Sequence, residues 1–305
     1  MRLREEVIPA TRLPLAARDL LGESPVWDAR EQALYWVDTR RRLVQRRRFD
    51  APDADGAERR WQVPQDVGSI ALASPGHLLL ALADGFATLS LDDGHVSELA
   101  PVSHPKAPMR LNDGRTDREG RFVCGSMVLH RRDPDARLYR LDIDGSVDTL
   151  LDGIAVSNAT CFSPDGRTMY FADSLAGTIR AWHYAPDGSL SGERVFADTR
   201  AHGSGPDGAT VDADGRLWVA LVLARRIACY SPEGLLLRTL ELPVPYPTCP
   251  CFGGPSLDVL YVTSISDSGN LLRSEDRAAG ALVEVRGLGA RGLPEVPWGG
   301  LRRNR

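Results

Sequence analysis

The chain has 305 residues, a length that suits either two average domains or one large β or α/β domain. Apolar residues make up 43% of it and charged residues 26%, proportions typical of a soluble globular protein with a sizeable core. The formal net charge of -4 at pH 7 gives no general attraction to nucleic acid or to an anionic membrane.

The N-terminal stretch MRLREEVIPATRLPLAARDLLGESP lacks the apolar run of a secretory signal, and no run of about 18 apolar residues occurs anywhere. These features predict a cytoplasmic protein without a membrane partner. The five cysteines are an odd number in a long chain, which favours buried thiols over a disulfide framework. Cys249 and Cys251 could form a metal or redox pair, but no second Cys/His pair has the spacing of a zinc site.

Six segments repeat one pattern along the chain, a turn rich in Asp, Gly or Pro followed by a short apolar strand. In chain order they are DAREQALYWVD, ASPGHLLLAL, DREGRFVCGS, SPDGRTMYFAD, DADGRLWVAL and GPSLDVLYVTS. The equivalent apolar positions in the six repeats are Leu34, Leu78, Phe122, Met169, Leu217 and Leu260. The steps between them are 44, 44, 47, 48 and 43 residues, which is the period of a propeller blade.

Each repeat has room for four strands with turns between them. The segments RLYRLDIDG, TIRAWHYAPDG and RIACYSPEG lie between the equivalent positions, alternate with a period of two and end in Gly-containing turns, as hairpins require. Long helical periodicity is absent. We therefore predict an all-β fold, a six-bladed β-propeller that residues 1–305 form as a single domain.

Two stretches near the N-terminus need a place in this architecture. RLPLAARDLLGESP precedes the strand of the first repeat, and we expect it to supply a strand of the last blade, which would close the ring and remove an exposed sheet edge. The arginine-rich TRRRLVQRRRFD, residues 39–50, could indicate nucleic-acid binding. Because the whole chain is acidic, we interpret it instead as exposed outer strands or a turn of the first blade and expect no nucleic-acid partner.

Four polar residues occupy the same place in different repeats, ten or eleven positions before the apolar residue: Glu23, Asn112, Asn158 and Asp207. The loops that enter the innermost strands of a propeller crowd around one mouth of its central channel, so these side chains should form a ring. Carboxylate and amide oxygens suit calcium, magnesium, manganese or a similar divalent cation. The alternative is that they are turn residues, since Asp207-Gly208 and Asn112-Asp113-Gly114 are typical turn sequences.

Five motifs, in order and over nearly the full length, carry a resemblance to a known family. They are LGESPVWDAREQALYWVDT (21–39), RLNDGRTDREGRFVCGSM (110–127), VSNATCFSPDGRTMYFADS (156–174), GPDGATVDADGRLWVA (205–220) and CFGGPSLDVLYVTS (251–264). The closing GLGARGLPEVPW (287–298) is similar as well. On these motifs the chain resembles the family of senescence marker protein, regucalcin and gluconolactonase, six-bladed propellers that hydrolyse sugar lactones with one divalent cation.

The resemblance implies a role for each motif residue. The metal ligands would be Glu23 of Gly-Glu-Ser-Pro, Asn158 of Ser-Asn and Asp207 of Pro-Asp-Gly. Asp207 would also direct or deprotonate the attacking water, and Arg110 and Asn112 would bind the sugar hydroxyls and the ring or carbonyl oxygen. The implied cofactor is one divalent ion, Ca²⁺, Zn²⁺, Mn²⁺, Mg²⁺ or Fe²⁺, and the implied partner is a small sugar lactone, with the protein a monomer or weak dimer.

Two positions depart from the family pattern. Ala159 follows Asn158 where the family usually has Gly, which would cost strain if the backbone there needs a positive φ. His130 falls where some members carry a glutamate that contacts substrate, so it could contact the sugar and influence which lactone is accepted; the alternative is that it is a plain loop residue.

Lactone hydrolysis passes through a tetrahedral oxyanion, which a divalent ion can stabilise while it also lowers the pKa of a bound water. The chain has no Gly-x-Ser-x-Gly elbow and no His-Glu-x-x-His spacing, so neither a serine nucleophile nor a zinc-peptidase site competes with this reading. The alternative function is a calcium-binding regulatory or scaffold propeller, which the same three ligands would serve without turnover.

Overall fold

The computed structural model describes residues 9–15, 17–50, 56–130 and 132–300. Within them the chain forms 24 β-strands and two short 3-10 helices, Arg200–His202 and Val222–Ala224. The strands make six four-stranded antiparallel sheets arranged as a six-bladed β-propeller, as predicted. Across these described ranges, no helix has both the length and the apolar character needed to cross a membrane.

Each of the first five blades uses four consecutive strands. Blade 1 contains β2 (Gly22–Asp28), β3 (Ala33–Asp38), β4 (Leu43–Arg48) and β5 (Glu58–Gln62). Blade 2 contains β6 (Val67–Leu72), β7 (His77–Leu82), β8 (Gly85–Ser90) and β9 (Val96–Pro101). Blade 3 contains β10 (Met109–Thr116), β11 (Phe122–Val128), β12 (Ala136–Leu141) and β13 (Val147–Ile154).

Blades 4 and 5 repeat this order. Blade 4 contains β14 (Ser157–Phe162), β15 (Thr168–Asp173), β16 (Thr178–Tyr184) and β17 (Leu190–Asp198). Blade 5 contains β18 (Pro206–Val211), β19 (Leu217–Leu221), β20 (Arg226–Tyr230) and β21 (Leu236–Glu241). The first strand of each blade is the innermost, so all these innermost strands start at one face of the ring.

Blade 6 combines the two ends of the described chain. Its strands are β22 (Pro247–Gly253), β23 (Val259–Ser264), β24 (Val283–Val285) and, at the outer edge, β1 (Ala10–Arg12). Ala10 pairs with Val285, and Arg12 pairs with Val283. The N-terminal region thus closes the ring as expected, but the closing strand overlaps the stretch we assigned to it only at Arg12. Of the rest of that stretch, residues 13–15 and 17–21 lie between β1 and β2, and the last four residues are part of β2.

Six apolar clusters hold the ring together, one between each pair of neighbouring blades. The cluster between blades 6 and 1, for example, stacks Trp27 on Tyr261 with ring centroids 5.7 Å apart. The innermost strands β6, β14, β18 and β22 are buried along their whole length, whereas the outermost strands of blades 1 to 5 consist mostly of exposed and half-buried residues. The core is therefore a set of wedges between blades rather than one central mass.

The cysteines lie as interpreted from the sequence, whereas the arginine-rich stretch fits only in part, because β4 is the third strand of blade 1 and its arginines are half-buried rather than on an exposed outer strand. All five cysteines are buried and unbridged. Residues 39–50 form the turn after β3 and the strand β4, and arginines there pair with acids: Arg42 with Asp66 at 3.0 Å and Arg47 with Glu58 at 2.5 Å. These pairs are those expected of a solvated blade edge.

The segment that follows β24 crosses the end of the channel opposite the start of the innermost strands. The Ala213 N–H donates to the Arg291 carbonyl at 2.8 Å, and the Gly292 N–H donates to the Leu257 carbonyl at 2.8 Å. Further along, the Trp298 N–H donates to the Leu72 carbonyl at 2.8 Å. The segment thus runs from blades 5 and 6 to blade 2, and we call residues 287–300 the C-terminal strap.

An ion pair joins the C-terminal strap to the channel wall. Glu295 of the strap bonds Arg115 of β10, whose other Nη atom donates to the Ala209 carbonyl at 3.0 Å. Burial alone would lower the pKa of Arg115, but the Glu295 carboxylate outweighs it and raises that pKa. The far end of the channel is closed by a charge pair with matched partners.

Candidate functional site

The innermost strands share an irregularity near their first residues. In all six sheets the register between the first and second strand shifts there, as it does between Glu23 and Val26 of β2 and between Pro206 and Ala209 of β18. A bulge of this kind turns side chains away from the regular alternation of a strand. Six bulges at one height therefore present side chains to the same mouth of the channel, which we call the near mouth.

The residues predicted to form a ring lie at or beside these bulges. Asp207-Gly208 and Asn112-Asp113-Gly114 belong to β18 and β10, so the interpretation of these sequences as turns was wrong. Bulges and turns both require irregular backbone, which explains the shared residue types. Gly208 is required by packing, because a Cβ at this position would lie 2.4 Å from Cys249 Sγ.

Arg110 and Asn112 of β10 form one side of the near mouth, and both are buried. Arg110 Nη1 donates to Asn112 Oδ1 at 2.6 Å and to the Leu111 carbonyl at 2.9 Å. Asn112 Nδ2 donates to the Ser157 carbonyl at 2.8 Å and to Asn158 Oδ1 at 3.3 Å. Blade 3 is thereby connected to the amide of blade 4.

The Asn158 side chain is only 5% exposed and has a defined orientation. Its Nδ2 donates to Ser174 Oγ at 2.8 Å, while its Oδ1 accepts the 3.3 Å bond from Asn112. The amide nitrogen is thus bonded to Ser174, and the oxygen is the atom on the side of Asn112. An amide held this way can offer a neutral oxygen to a cation.

The near mouth contains more buried negative charge than positive charge. Burial, followed by the charges of Asp207 and Asp113, raises the pKa of Glu23 well above its usual value. Burial and then the Asp113 charge raise the pKa of Asp207 to about 8, and burial raises the pKa of Asp113. Burial lowers the pKa of Arg110, whose charge acts on both Glu23 and Asp207. Like charges in a low-dielectric site favour the bound proton or a bound cation.

Asp113 is the acidic residue of this site that the sequence had indicated only as part of a turn. Its Oδ2 accepts the Thr160 N–H at 2.7 Å, so it links the bulge of blade 3 to the bulge of blade 4. The sequence signal was its place beside Asn112, but the partner lies 47 residues away and could not be identified from spacing.

Two ring residues are followed by residues with left-handed backbone. Ala159 after Asn158 has φ 54°, and Ser24 after Glu23 has φ 49°. The position occupied by Ala159 therefore does require the conformation that favours glycine, at a cost of about 1–3 kcal/mol for other residues. Ala159 is completely buried in the cluster between blades 4 and 5, and this packing helps to hold the strained residue.

His130 lies in the loop between β11 and β12, at the near-mouth end of blade 3. It is exposed, with φ 64°, and the preceding Leu129 donates its N–H to the Pro108 carbonyl at 3.0 Å. Met127, three residues before His130, pairs with Arg110. The residue thus lies at the rim rather than among the buried ring residues.

The fold brings Glu23, Asn158 and Asp207 to the near mouth together with Arg110 and Asn112. In the part of the chain that the structure describes, no group of three or more His, Cys, Asp or Glu side chains is spaced to hold a metal ion. The predicted ligand set is of a different kind, because it contains two carboxylates and one amide. Its oxygen-only chemistry fits a hard divalent cation.

Comparison with known proteins identifies the family of this chain. The family model described as SMP-30/Gluconolactonase/LRE-like region matches residues 21–266. The chain is 36% identical to regucalcin of Gallus gallus over 290 residues, with 92% of this chain and 95% of the relative covered. It is also 36% identical to L-arabinolactonase of Azospirillum brasilense over 287 residues, with 92% and 93% covered.

A solved structure of a calcium-binding protein, regucalcin of Agrobacterium tumefaciens, superposes with a TM-score of 0.87. The sequences are 26% identical, and 96% of this chain and 98% of the other are covered. The matched residues 21–266 include every residue placed above at the near mouth. The chain therefore belongs to the SMP-30/gluconolactonase/LRE-like family.

Proposed function

We propose that the chain hydrolyses a sugar lactone to the aldonic acid with one divalent cation held by Glu23, Asn158 and Asp207. The observation that carries the proposal is the arrangement at the near mouth, where two carboxylates with raised pKa values accompany an amide whose nitrogen is bonded to Ser174 and whose oxygen accepts only a long bond from Asn112. The similarity to an L-arabinolactonase supports a sugar lactone as the substrate class.

The cation, when bound, would keep the two carboxylates ionised and would polarise the lactone carbonyl. Asp207 orients the attacking water and takes its proton as the oxygen adds to the carbonyl carbon. The ring C–O bond then breaks, and the same proton passes from Asp207 to the departing alkoxide oxygen. This leaves a carboxylic acid and a hydroxyl group, with no covalent link to the protein.

Arg110 and Asn112 bind the substrate oxygens in this proposal. The Arg110 guanidinium is fixed by its bonds to Asn112 and to the Leu111 carbonyl through Nη1, which leaves its other nitrogen donors for a sugar or carbonyl oxygen. His130 contacts the part of the sugar that extends to the rim, so it affects the choice among lactones more than the rate of the reaction.

The test is a hydrolysis screen of glucono-, galactono-, xylono- and arabinono-lactones. Protein treated with chelator would be assayed alone and after addition of Ca²⁺, Mg²⁺, Mn²⁺, Zn²⁺ or Fe²⁺, with the spontaneous rate in each buffer subtracted. We expect at least one lactone to be hydrolysed with a cation present and the activity to disappear on chelation. Turnover that is equal with and without cation would contradict the metal part of the proposal.

The same screen separates catalysis from binding alone. A regulatory calcium-binding propeller would bind the cation by calorimetry and hydrolyse none of the four lactones. Asp207→Asn serves as the inactive reference in the hydrolysis assay, because it keeps the shape of the side chain and removes both the base and one negative charge of the proposed cation site.

A further inference from the structure

The Ser174 hydroxyl connects two of the ring residues across a blade boundary. Ser174 follows directly after β15 of blade 4 and is half-buried. Its Oγ accepts the Nδ2–H of Asn158 at 2.8 Å and donates its own proton to the Pro206 carbonyl at 2.7 Å. Pro206 precedes Asp207 in β18. One hydroxyl thus contacts the side chain of one proposed ligand and the backbone beside another.

The direction of these two bonds determines which way the Asn158 amide faces. The Pro206 carbonyl can only accept, so the hydroxyl proton of Ser174 is committed to it. Ser174 Oγ is then left with lone pairs, and it can bond Asn158 only through the amide NH₂ group. The opposite orientation, with Oδ1 toward Ser174, would place two lone pairs against each other.

The second contact of the amide agrees with this orientation. Asn112 Nδ2 donates to Asn158 Oδ1 at 3.3 Å, so a donor lies on the side where the amide oxygen is expected. The orientation matters for chemistry, because an amide oxygen can coordinate a cation and an NH₂ group repels one.

We propose that Ser174 is a positioning residue that holds the Asn158 amide with its oxygen toward the bound cation. The inference rests on the proposed metal site but concerns a residue that contacts neither cation nor substrate. Removal of the hydroxyl frees the amide to rotate, and each rotation that exposes NH₂ costs cation affinity. We expect Ser174→Ala to weaken the affinity about tenfold, which corresponds to about 1.4 kcal/mol.

The experiment compares cation affinities by calorimetric titration of Ca²⁺ and Mn²⁺. Ser174→Thr keeps the hydroxyl, and Ser174→Val has nearly the shape of the Thr variant but no hydroxyl. The Thr variant should therefore retain the cation affinity, and the Val variant should lose it. This pair decides the matter even if Ser174→Ala does not fold. Ser163→Ala is the matched control, because the Ser163 hydroxyl also makes two bonds in blade 4, to Asp165 Oδ1 at 2.6 Å and from the Thr168 N–H at 2.9 Å, at the opposite end of the channel.

A double-mutant cycle distinguishes positioning from general support of the fold. If Ser174 acts through the amide, Ser174→Ala should lower the affinity in the wild type and have no further effect in an Asn158→Ala background. Additive losses, a Val variant that binds as well as the Thr variant, or an equal loss in Ser163→Ala would each overturn the inference. If the wild type binds no cation, the proposed function and this inference both fail. If the wild type binds the cation and the variants behave in one of the three ways above, only the inference about Ser174 fails.

Discussion

The two ends of the channel both contain buried charges, but only one end balances them. At the far end, Arg115 is paired with Glu295 and also donates to a backbone carbonyl. At the near mouth, Arg110 is the one guanidinium that acts on both Glu23 and Asp207, Asp113 is influenced by Arg115 instead, and the pKa of each of these three carboxylates is raised.

The difference separates a structural arrangement from a functional one. A buried charge with its counter-charge has a structural role. Removal of either partner is strongly destabilising, but the pair itself does not bind or react with a ligand. Buried charges of one sign without sufficient partners are unfavourable for folding, and such groups are concentrated at sites where a ligand completes them. On this comparison we expect the C-terminal strap to contribute to stability and the near mouth to contribute to function, and substitutions at each end can test this division.

The largest effects are expected from substitutions of the near-mouth carboxylates. Asp207→Asn and Glu23→Gln each remove one negative charge from the site and should weaken cation affinity by at least about 100-fold, or about 3 kcal/mol. Asp207→Asn should also reduce kcat by about 10²–10⁴, the usual contribution of a general base. Calorimetric titration and lactone hydrolysis measure the two quantities.

The same variants should lose cation affinity without losing stability in the absence of cation. Because each substitution relieves repulsion between buried carboxylates, the Tm without cation should stay the same or rise. A fall in Tm together with unchanged cation affinity would show that these carboxylates support the fold and hold no ion.

A smaller effect, confined to stability, is expected at the far end. Glu295→Gln leaves the Arg115 guanidinium buried without its counter-charge, which should cost about 3–5 kcal/mol of unfolding free energy. Denaturant unfolding measures this loss. Cation affinity at the near mouth should remain within about twofold of the wild type, since the pair touches none of the ring residues. A large loss of affinity without a loss of stability would reverse the roles assigned to the two ends.

The smallest effect concerns a buried carboxylate that has neutral partners. Burial and then the Asp38 charge raise the pKa of Asp19 to about 7, although Trp36 Nε1 donates to it at 2.9 Å and Gln45 Nε2 at 2.7 Å; Arg41 acts in the opposite sense to Asp38. The folded state therefore binds the Asp19 proton more tightly than the unfolded state does. The stability that this proton contributes is lost as the pH rises from about 4 to about 7.

Asp19→Asn should remove that part of the pH dependence. At pH 5 the wild-type carboxyl is largely neutral, as Asn is, so the two proteins should have similar Tm values; at pH 8 the variant should be the more stable. Its cation affinity should not change. A parallel pH dependence of Tm in both proteins would show that Asp19 does not titrate in this range.

The sequence predicted the six blades because each repeat contains its own turn and strand, and such signals are local. It also predicted which residues meet at the near mouth, since equivalent positions in a closed ring must converge. The closing strand was placed too late in the chain because β1 has three residues, too few for an alternating pattern to be visible.

The remaining features depend on contacts between distant residues. Arg115 and Glu295 are 180 positions apart, and nothing in either local sequence indicates the pair. Asn158 and Ser174 lie near the two ends of the same motif, but their bond depends on the bulge in β14, whose sequence is typical of an ordinary strand. The left-handed φ of Ala159 was suggested only by the resemblance to a family that usually has glycine there.

The pairing of Ala10 with Val285 also has a consequence for how the chain folds. These residues are 275 positions apart, so the sixth sheet consists partly of contacts with the largest sequence separation in the molecule. Sheets dominated by such contacts form slowly, because the entropy cost of closing the intervening chain must be met before the contact contributes favourable free energy. During synthesis, β1 emerges first and has no partner until β24 follows it, so the ring remains open until almost the whole chain has been made.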